Sequence, residues 1–384
     1  MTPKGNSISA RRSIEREFQV NVAFHCREPA QPPRWQSDRR AWLITRYADA
    51  TRLLKSDDIS IIDVVKKLQK LSDRMNGAFS NTILLFGNSH PVQNLPTPNP
   101  IRAELKDLVG NILRRWTADK VDDLVVELLA SAGDGECLDA IRILAKPIPA
   151  TIIADALGLQ LLEFYRCGEL TRELSVIWSR EVHALRDLFA LEKSATALVQ
   201  LLTTKFGGDR RAEFAGLAFL TLAGVDTTSG LLGSTIFILS QDRALQNRLR
   251  TEPILVNGFV NETLRCCPPA IRIYGHRTER DVTLSGVDIP RDAFLIFDVG
   301  SAHHDPDAYP DPERFDPTRN GPPNLAFSAG AHACIGVVLA RLEAKVLIDR
   351  LLRDYAIAPA GEARLRNSRD WYEFESLPIR LEPL

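Results

Sequence analysis

Residues 327–336 read FSAGAHACIG, and an amphipathic helical pattern follows them at once. A cysteine that precedes a helix lies at the positive end of the helix dipole, which favours the thiolate form of Cys334. Gly330 and Gly336 let the backbone turn tightly and approach a large planar partner closely. A thiolate in this setting is a nucleophile, a disulfide-exchange group or an axial ligand of iron, because haem iron accepts a cysteine thiolate. The local pattern offers no second cysteine and no general base for the first two roles; an inert cysteine that caps the helix is the structural alternative.

Length and composition limit the class of protein. The chain has 384 residues, 45% hydrophobic and 25% charged, which are ordinary globular proportions. Its net charge of −1 gives no basic excess for nucleic acid. The longest nearly apolar run, residues 214–225, is too short to span a bilayer, and the N-terminus has no apolar signal-peptide core. Six cysteines are too few for a disulfide scaffold. We therefore expect a cytoplasmic protein without membrane insertion or a nucleic-acid partner.

The pattern of apolar residues predicts a mainly α fold with a small antiparallel β portion. No alternating βαβ rhythm is present, which excludes doubly wound and barrel folds. A long apolar helix over about residues 211–240 should cross the centre of the protein, whereas residues 60–100, interrupted by prolines, are predicted to form a long functional loop. The other main predictions are helices from residue 101 onward, a helix over 254–267, strands over 271–298, a helix over 334–354 and a hairpin over 371–381.

The predicted central helix contains a polar interruption, AGVDTT at residues 223–228. An acid and an alcohol in an apolar helix are costly to bury without partners. Thr227 can bond to the carbonyl four residues earlier and open the helix, and Gly224 leaves room for a ligand against the backbone. Asp226 and Thr227 together can organise water and pass protons inward. A solvated patch on one helix face is the alternative.

A charged pair and an aperiodic stretch follow. Glu262 and Arg265 are three residues apart near the end of a helix, a spacing that is normally structural. Residues 303–319 are rich in proline and aspartate and carry no periodicity. His303, His304 and Asp305 at the start of this stretch look like a metal cluster, but their place in the aperiodic segment favours a structural role.

Together and in this order, these segments resemble the cytochrome P450 family of haem-thiolate monooxygenases. The cysteine loop matches the family pattern Phe-Gly-x-Gly-x-His-x-Cys-x-Gly, except that Ser328 replaces the first glycine. Residues 223–228 match Ala/Gly-Gly-x-Asp/Glu-Thr-Thr, and Glu262 with Arg265 matches Glu-x-x-Arg, for which Arg314 or Arg319 is the expected third partner. The resemblance covers essentially the whole chain. It implies the P450 fold, with a long central helix over haem, in a single domain over residues 1–384 whose first 20 residues are disordered.

The resemblance also implies a binding site for haem b, iron protoporphyrin IX. Cys334 would be the iron ligand, and His332 would bond a haem propionate. His276, favoured by spacing over Arg277, would bond the second propionate. The full set of implied cofactor-binding residues is Cys334, His332, His276, Arg102, Lys106, Phe327, Gly336 and Ala223. In that set Arg102 and Lys106 stand where the family usually has a histidine and an arginine four residues apart, and Leu95–Pro100 replaces the usual lead-in to their helix.

The implied reaction is the oxidation, most simply hydroxylation, of a small hydrophobic and biosynthetic substrate by O2. Asp226 and Thr227 would be catalytic, and electrons would come from a ferredoxin and its NAD(P)H-dependent reductase. A haem-thiolate binding protein without oxygenase activity, or a peroxide-driven or rearranging enzyme, stays open, although the presence of both catalytic residues favours the oxygenase. Arg272 is a candidate anchor for a substrate carboxylate, or it reaches solvent or a propionate. The apolar candidates for substrate contact are Phe79, Phe86, Phe164, Ile177, Trp178, Phe219, Leu222, Ala223, Ile271 and Phe374.

Overall fold

The computed structural model describes residues 28–61, 64–87, 100–131, 137–174, 185–208 and 214–384. The predicted disorder of residues 1–20 lies outside these ranges. The α-helices are α1 (Tyr47–Leu54), α2 (Val64–Arg74), α3 (Ser80–Gly87), α4 (Pro100–Arg115), α5 (Ala118–Ser131), α6 (Pro147–Leu157), α7 (Leu161–Leu174), α8 (Leu185–Phe206), α9 (Phe214–Ala223), α10 (Asp226–Gln241), α11 (Arg243–Thr251), α12 (Val256–Cys266), α13 (Val299–Ala302) and α14 (Val337–Asp354). A π-helix covers Ile141–Ala145, and short 3-10 helices cover Pro253–Leu255 and Gly330–His332.

The strands form small sheets beside these helices. They are β1 (Arg34–Gln36), β2 (Ala41–Ile44), β3 (Ile59–Ile61), β4 (Cys137–Asp139), β5 (Arg272–Thr278), β6 (Val282–Leu284), β7 (Val287–Ile289), β8 (Phe294–Asp298), β9 (Tyr355–Pro359), β10 (Arg364–Leu365), β11 (Phe374–Ser376) and β12 (Pro378–Pro383). The largest sheet has the order β1-β2-β8-β5-β3, and its β2–β8 pair is parallel while the others are antiparallel. The mainly α fold with a small, largely antiparallel β portion is confirmed.

A tight two-residue turn joins β6 to β7. Ser285 and Gly286 have φ angles of 48° and 79°, the left-handed pair that a two-residue hairpin requires. The sharp return brings β5 to β8 into one compact unit, which fixes the direction in which β5 presents its side chains.

The prediction of a loop over residues 60–100 is wrong for its first part. Strand β3 and helices α2 and α3 occupy this region as far as Gly87. The prolines that argued against helix are at positions 91, 96, 98 and 100, so they all follow α3 and constrain nothing before it. Residues 88–99 lie outside the described ranges.

The predicted terminal hairpin over residues 371–381 is also wrong. Strand β11 pairs with β10, while β12 leaves that pair and joins β4 and β9. Asp139 causes this division, because its carboxylate accepts hydrogen bonds from the Ser376 hydroxyl (2.8 Å) and the Leu377 N–H (3.1 Å) at the point where the chain turns.

The core is built around α9 and α10. The apolar stretch Gly216–Gln241 has the length and hydropathy to cross a bilayer, but 71% of its most apolar window is buried inside the protein, as in the core helix of a globular domain. The single helix predicted over residues 211–240 is instead two helices, which are separated at Gly224 and Val225. Residues 211–213 lie outside the description. This break positions the polar residues of the candidate site.

Candidate active site

The cysteine segment is a closed loop that ends at the N-terminus of α14. The Cys334 N–H donates to the carbonyl oxygen of Phe327 (2.8 Å), which ties the end of the loop to its start. The helix begins at Val337 with Gly336 as its N-cap, three residues later than predicted. The Cys334 side chain is exposed, whereas Cys167, Cys266 and Cys267 are buried. An exposed thiol at a helix N-terminus is suited to the thiolate form, so the alternative of a buried, inert cap is wrong.

Two residues with positive φ shape this loop. Gly330 has φ +72°, and a Cβ atom there would lie 2.2 Å from the carbonyl oxygen of Leu54 in α1, so only glycine allows the loop to rest on that helix. Ser328 has φ 59°, a conformation that costs a residue with a side chain about 1–2 kcal/mol. The replacement of the family's glycine by Ser328 therefore leaves strain in the cysteine loop.

A cation–π contact supports the other end of the loop. The Arg341 guanidinium carbon of α14 lies 5.5 Å from the centroid of the Phe327 ring. Such contacts are worth roughly 0.5–1 kcal/mol at partly exposed positions. The contact orients the Phe327 ring at the start of the cysteine segment and places a charged group over that ring.

His276 is buried beside His332. A bulge in the pairing of β5 with β8, with Gly275 at φ +85°, re-aims the strand so that His276 is 4% exposed. Burial and the neighbouring His332 lower the pKa of His276 to about 4. Its Nδ1 lies 3.1 Å from the carbonyl oxygen of Tyr274, and its Nε2 has no hydrogen-bond partner among the described residues. The site therefore contains a buried nitrogen that requires a partner from outside the chain.

Arg277, the alternative to His276, points away from this site. Its side chain is 44% exposed and forms ion pairs with Glu279 and Asp292, both at 3.4 Å. The geometry thus places the histidine, and not the arginine, towards His332.

The first turns of α4 contain the other two predicted cofactor-binding residues. The backbone of Arg102 is helical, and its side chain lies outside the described part of the protein. Lys106 is one turn further along and exposed. The structure keeps the predicted i, i+4 spacing of the two residues on one helix.

The break in the central helix is stabilised by Thr227. Helix α9 ends at Ala223, and α10 begins at Asp226. The Thr227 hydroxyl donates to the Ala223 carbonyl oxygen at 2.7 Å, which is the bond to the residue four positions earlier that the sequence predicted. Because a side chain replaces the backbone donor here, the helix opens at this point.

The predicted role of Gly224 is wrong. A Cβ atom at Gly224 would lie 2.9 Å from the Leu220 carbonyl oxygen and 3.1 Å from the Ile153 side chain of α6. The missing side chain thus permits close packing against α6 and does not open room for a ligand.

Asp226 has a partner that the sequence did not reveal. Arg172 of α7 donates from Nη2 to both carboxylate oxygens, at 3.1 and 3.2 Å, and from Nε at 3.3 Å. The Arg172 side chain is 48% exposed and Asp226 is 18% exposed, so the pair is in contact with water. The two residues are 54 positions apart in the sequence, and nothing in the sequence indicates this contact.

The predicted charged pair is buried at the end of α12. Arg265 donates from Nε and Nη2 to Glu262 at 2.9 and 2.8 Å, and Arg319 donates to the same carboxylate at 3.0 Å. Arg319 is therefore the third partner, whereas Arg314 pairs with Asp316. Arg265 also bonds the carbonyl oxygens of His303, Pro312 and Arg314.

His303 has a structural role, as the sequence indicated. Its Nδ1 lies 3.0 Å from the Arg265 carbonyl oxygen, and its Nε2 accepts from the Leu325 N–H at 2.6 Å. Complete burial lowers its pKa to about 3, so the ring is neutral. No metal-binding group of histidine, cysteine and acidic residues occurs in the described ranges.

Arg272 is buried and donates from Nε to Asp298 at 2.9 Å, so its charge is compensated within the protein. The expectation that its side chain reaches solvent is therefore wrong. A bond from Arg272 to a substrate carboxylate or to a propionate stays a prediction.

The apolar substrate candidates differ in their burial. Phe79, Phe164 and Phe374 are completely buried and belong to the packed interior. Phe219 and Ala223 on α9 are only partly buried, so they remain candidates next to the helix break. Ile271 is 8% exposed. Ile177 and Trp178, and the side chains of Phe86 and Leu222, lie outside the described ranges.

The donor set fits a haem group. An exposed cysteine at a helix N-terminus is an iron ligand of the required kind. The orphaned Nε2 of buried His276 would donate to a haem carboxylate once the ring is protonated, which would raise its pKa from about 4. Fold and site together define a haem-thiolate protein.

Comparison with known proteins identifies the family. The family profile described as Cytochrome P450 matches residues 215–379. The chain is 30% identical to cytochrome P450 107B1 of Saccharopolyspora erythraea, with 92% of each chain covered. It is 28% identical to the erythromycin C-12 hydroxylase of the same organism, with 83% of each covered. Its fold is similar to the crystal structure of CalO2, with a TM-score of 0.74 at 21% identity, covering 92% of this chain and 93% of that one.

The chain belongs to the cytochrome P450 family and is a monooxygenase of the bacterial type. Its cofactor is haem, and its reaction uses O2 and an electron-donating partner.

Proposed function

We propose that residues 1–384 form one domain that holds haem b and hydroxylates a small hydrophobic, biosynthetic substrate in the cytoplasm. The observation that carries the proposal is the combination of an exposed Cys334 with a helix opened by the Thr227 hydroxyl. A related protein is named as an erythromycin hydroxylase, which supports a role in secondary metabolism.

Several residues of this chain hold the cofactor in the proposal. Cys334 ligates the iron, and Phe327, Gly336 and Ala223 contact the ring system. His332, His276, Arg102 and Lys106 bind the propionates. When bound, a thiolate-ligated haem supplies O–O bond cleavage.

Asp226 and Thr227 deliver protons to the reaction. Asp226 is 18% exposed and held by a half-exposed arginine, so its carboxylate can exchange protons with water. The Thr227 hydroxyl is one residue further along and lies at the helix break, where it holds a proton at its Oγ1. Each residue therefore performs a different part of one relay.

Electrons come from a ferredoxin and its NAD(P)H-dependent reductase in this proposal. Docking of the ferredoxin is expected on the side of the exposed Cys334, since that side gives the shortest path to the iron. Lys106 of α4 is exposed and is a candidate cation for that face, whereas Arg115 already pairs with Asp155 and Lys345 with Asp349.

The test is the spectrum of the reduced carbon monoxide complex. Thiolate ligation by Cys334 should give the strongly red-shifted Soret band, and Cys334→Ser should abolish that band. Cys137→Ser is the matched control, because Cys137 is also exposed but lies on β4. A spectrum of the histidine-ligated type in the unmodified protein would refute the proposal.

A further inference from the structure

The loop between β10 and β11 is fastened to the segment that leads into β5. Trp371 of this loop forms an antiparallel bridge with Ala270. The Ile271 N–H donates to the Asp370 carbonyl oxygen at 2.9 Å. Ile271 is also one of the apolar candidates for substrate contact, so the position of the loop and that of a candidate substrate contact depend on each other.

The side chain of Asp370 adds a polar cluster to this attachment. The Tyr274 hydroxyl of β5 donates to its Oδ1 at 2.5 Å, and Arg39, in the turn between β1 and β2, donates from Nη1 to the same hydroxyl at 2.5 Å. The Arg39 guanidinium carbon lies 5.6 Å from the centroid of the Tyr274 ring, and its Nη1 lies 3.7 Å from Oδ2 of Asp370. We call Arg39, Tyr274 and Asp370 the loop anchor.

The loop anchor keeps its hydrogen bonds at neutral pH. Burial and the hydrogen bond to Asp370 raise the pKa of the Tyr274 phenol, so the hydroxyl keeps its proton and remains a donor. The side chains of Arg39 and Asp370 are 29% and 26% exposed, and a second guanidinium nitrogen, Nη1 of Arg272, lies 3.9 Å from Oδ1 of Asp370. The carboxylate is therefore held by groups from two other parts of the sheet.

The loop continues from the anchor onto α10. A Cβ atom at Gly230 would lie 3.0 Å from the Tyr372 carbonyl oxygen, and one at Gly233 would lie 3.5 Å from the Phe374 ring. The chain after the anchor can rest on α10 because these two positions have no side chain. Gly230 is three residues after Thr227, so the two positions share a helix face. Residues 371–374 thus cover α10 directly beside the helix break.

We propose that Asp370 is a positioning residue for the substrate. Through the loop anchor it fixes how closely residues 371–374 approach the face of α10 that carries Thr227, and this distance decides which part of a substrate faces the iron. The inference rests on the proposed haem site. Asp370 acts through Ile271 and residues 371–374, and it takes no part in proton delivery.

Aryl migration in the haem-loaded protein tests this role without the natural substrate. Phenyldiazene places a phenyl group on the iron, and ferricyanide oxidation then moves that group to the pyrrole nitrogens with open space above them. The ratio of the N-phenylporphyrin isomers therefore maps the space around the iron. Asp370→Ala should change this ratio by about threefold or more, and Tyr274→Phe, which removes one hydrogen bond, by about twofold.

A double variant separates positioning from general loosening of the protein. Tyr274→Phe combined with Asp370→Ala should give the same isomer ratio as Asp370→Ala alone, because both changes act through one contact. If Asp370→Ala fails to fold, Tyr274→Phe, Arg39→Gln and their double variant carry the same test.

The matched control is Asp288→Ala. The Asp288 carboxylate accepts from the Thr283 hydroxyl at 2.7 Å in the hairpin of β6 and β7. The change therefore removes a hydrogen-bonded carboxylate from a hairpin that is not part of the loop anchor, and it should leave the isomer ratio as in the unmodified protein.

Two results would overturn the positioning role. One is an unchanged isomer ratio in folded variants that retain the thiolate-type spectrum. The other is a double variant in which the two changes add, which indicates independent loosening. Failure of the proposed haem site is a separate result, because the unmodified protein itself would then lack the thiolate-type spectrum.

Discussion

Two arginine–carboxylate pairs in this protein have the same chemistry and different surroundings. In the pair of Arg265 with Glu262 the side chains are 2% and 4% exposed, and Arg319 closes the cluster. In the pair of Arg172 with Asp226 they are 48% and 18% exposed. Water cannot reach the first pair to replace a lost partner, whereas it can reach the second pair. We infer that the buried pair maintains the fold and that the exposed pair is free to exchange partners and protons.

The largest expected effect comes from breaking the buried pair. Glu262→Ala would leave the guanidinium of Arg265 buried without its counterion, at a cost of about 3–5 kcal/mol. Since the whole stability of a domain is about 5–15 kcal/mol, we expect little folded, haem-loaded protein. Soluble yield and the haem-to-protein ratio are the measurements.

The matched control for Glu262→Ala comes from the exposed pair. Asp226→Ala removes a carboxylate from an arginine in the same way, but Arg172 can turn to water. It should retain near-normal yield and haem content. Equal losses in both variants would contradict the distinction between the two pairs.

A third carboxylate, Glu343 of α14, extends the comparison to an acid whose Oε2 has no hydrogen-bond partner among the described residues. Complete burial raises its pKa from 4.5 to about 8. Between those values the folded state holds a proton that the unfolded state has lost, so stability falls as the pH rises, by up to about 1.4 kcal/mol per unit. Glutamine cannot ionise. Glu343→Gln should therefore gain stability relative to the unmodified protein between pH 5 and pH 8, about the range between the two pKa values.

Urea unfolding of both proteins at the two pH values measures this difference. The comparison between variant and unmodified protein cancels the contribution of His276 and His303, whose lowered pKa values make stability rise with pH in the acid range. A difference in the free energy of unfolding that does not change with pH would show that Glu343 is ionised in the folded state.

Thr227→Ala tests the proposed proton relay, to which Asp226 of the exposed pair also belongs. The variant should still bind haem and substrate and accept electrons. It loses only one hydrogen bond, and the many buried residues of α10 keep the helix in place. We expect product formed per NAD(P)H to fall by about tenfold, with hydrogen peroxide released instead. Thr227→Ser should restore coupling. Thr235→Val is the control, since the Thr235 hydroxyl also bonds its own helix, at the Leu232 carbonyl oxygen. Unchanged coupling in Thr227→Ala would reduce the hydroxyl to a group that bends the helix.

Local contacts could be predicted from the sequence, and distant ones could not. The bond from Thr227 to Ala223 and the pair of Glu262 with Arg265 each lie within one helical turn, where spacing fixes the geometry. The contact of Arg172 with Asp226 joins two helices 54 residues apart. Packing between helices decides such a contact, and a single sequence does not encode it in any local pattern.

The same limit explains the errors in the fold. The prediction took the prolines at positions 91–100 as evidence against helix from residue 60 onward. These prolines all follow α3, so α2 and α3 were missed. Strand β12 left its neighbour β11 because Asp139, more than 230 residues away, holds the turn between them. The cysteine loop shows both kinds of contact: the bond from the Cys334 N–H to the Phe327 carbonyl oxygen is local, whereas the packing of Gly330 on Leu54 joins distant segments that no local pattern connects.

The smallest expected effect is the coupling energy of the exposed pair itself. A double-mutant cycle with Arg172→Gln and Asp226→Asn should give a coupling of about 0.2–1 kcal/mol in the free energy of unfolding, because solvent screens a half-exposed ion pair. The coupling should shrink between about 0.05 and 0.5 M salt, as the Debye length falls. Arg350→Gln with Asp122→Asn is the control cycle, since these side chains are only 18% and 25% exposed and should couple more strongly. A coupling at Asp226 above that of the control, insensitive to salt, would mean that Arg172 holds the carboxylate as firmly as Arg265 holds Glu262, and that the exposed pair is not free to exchange protons.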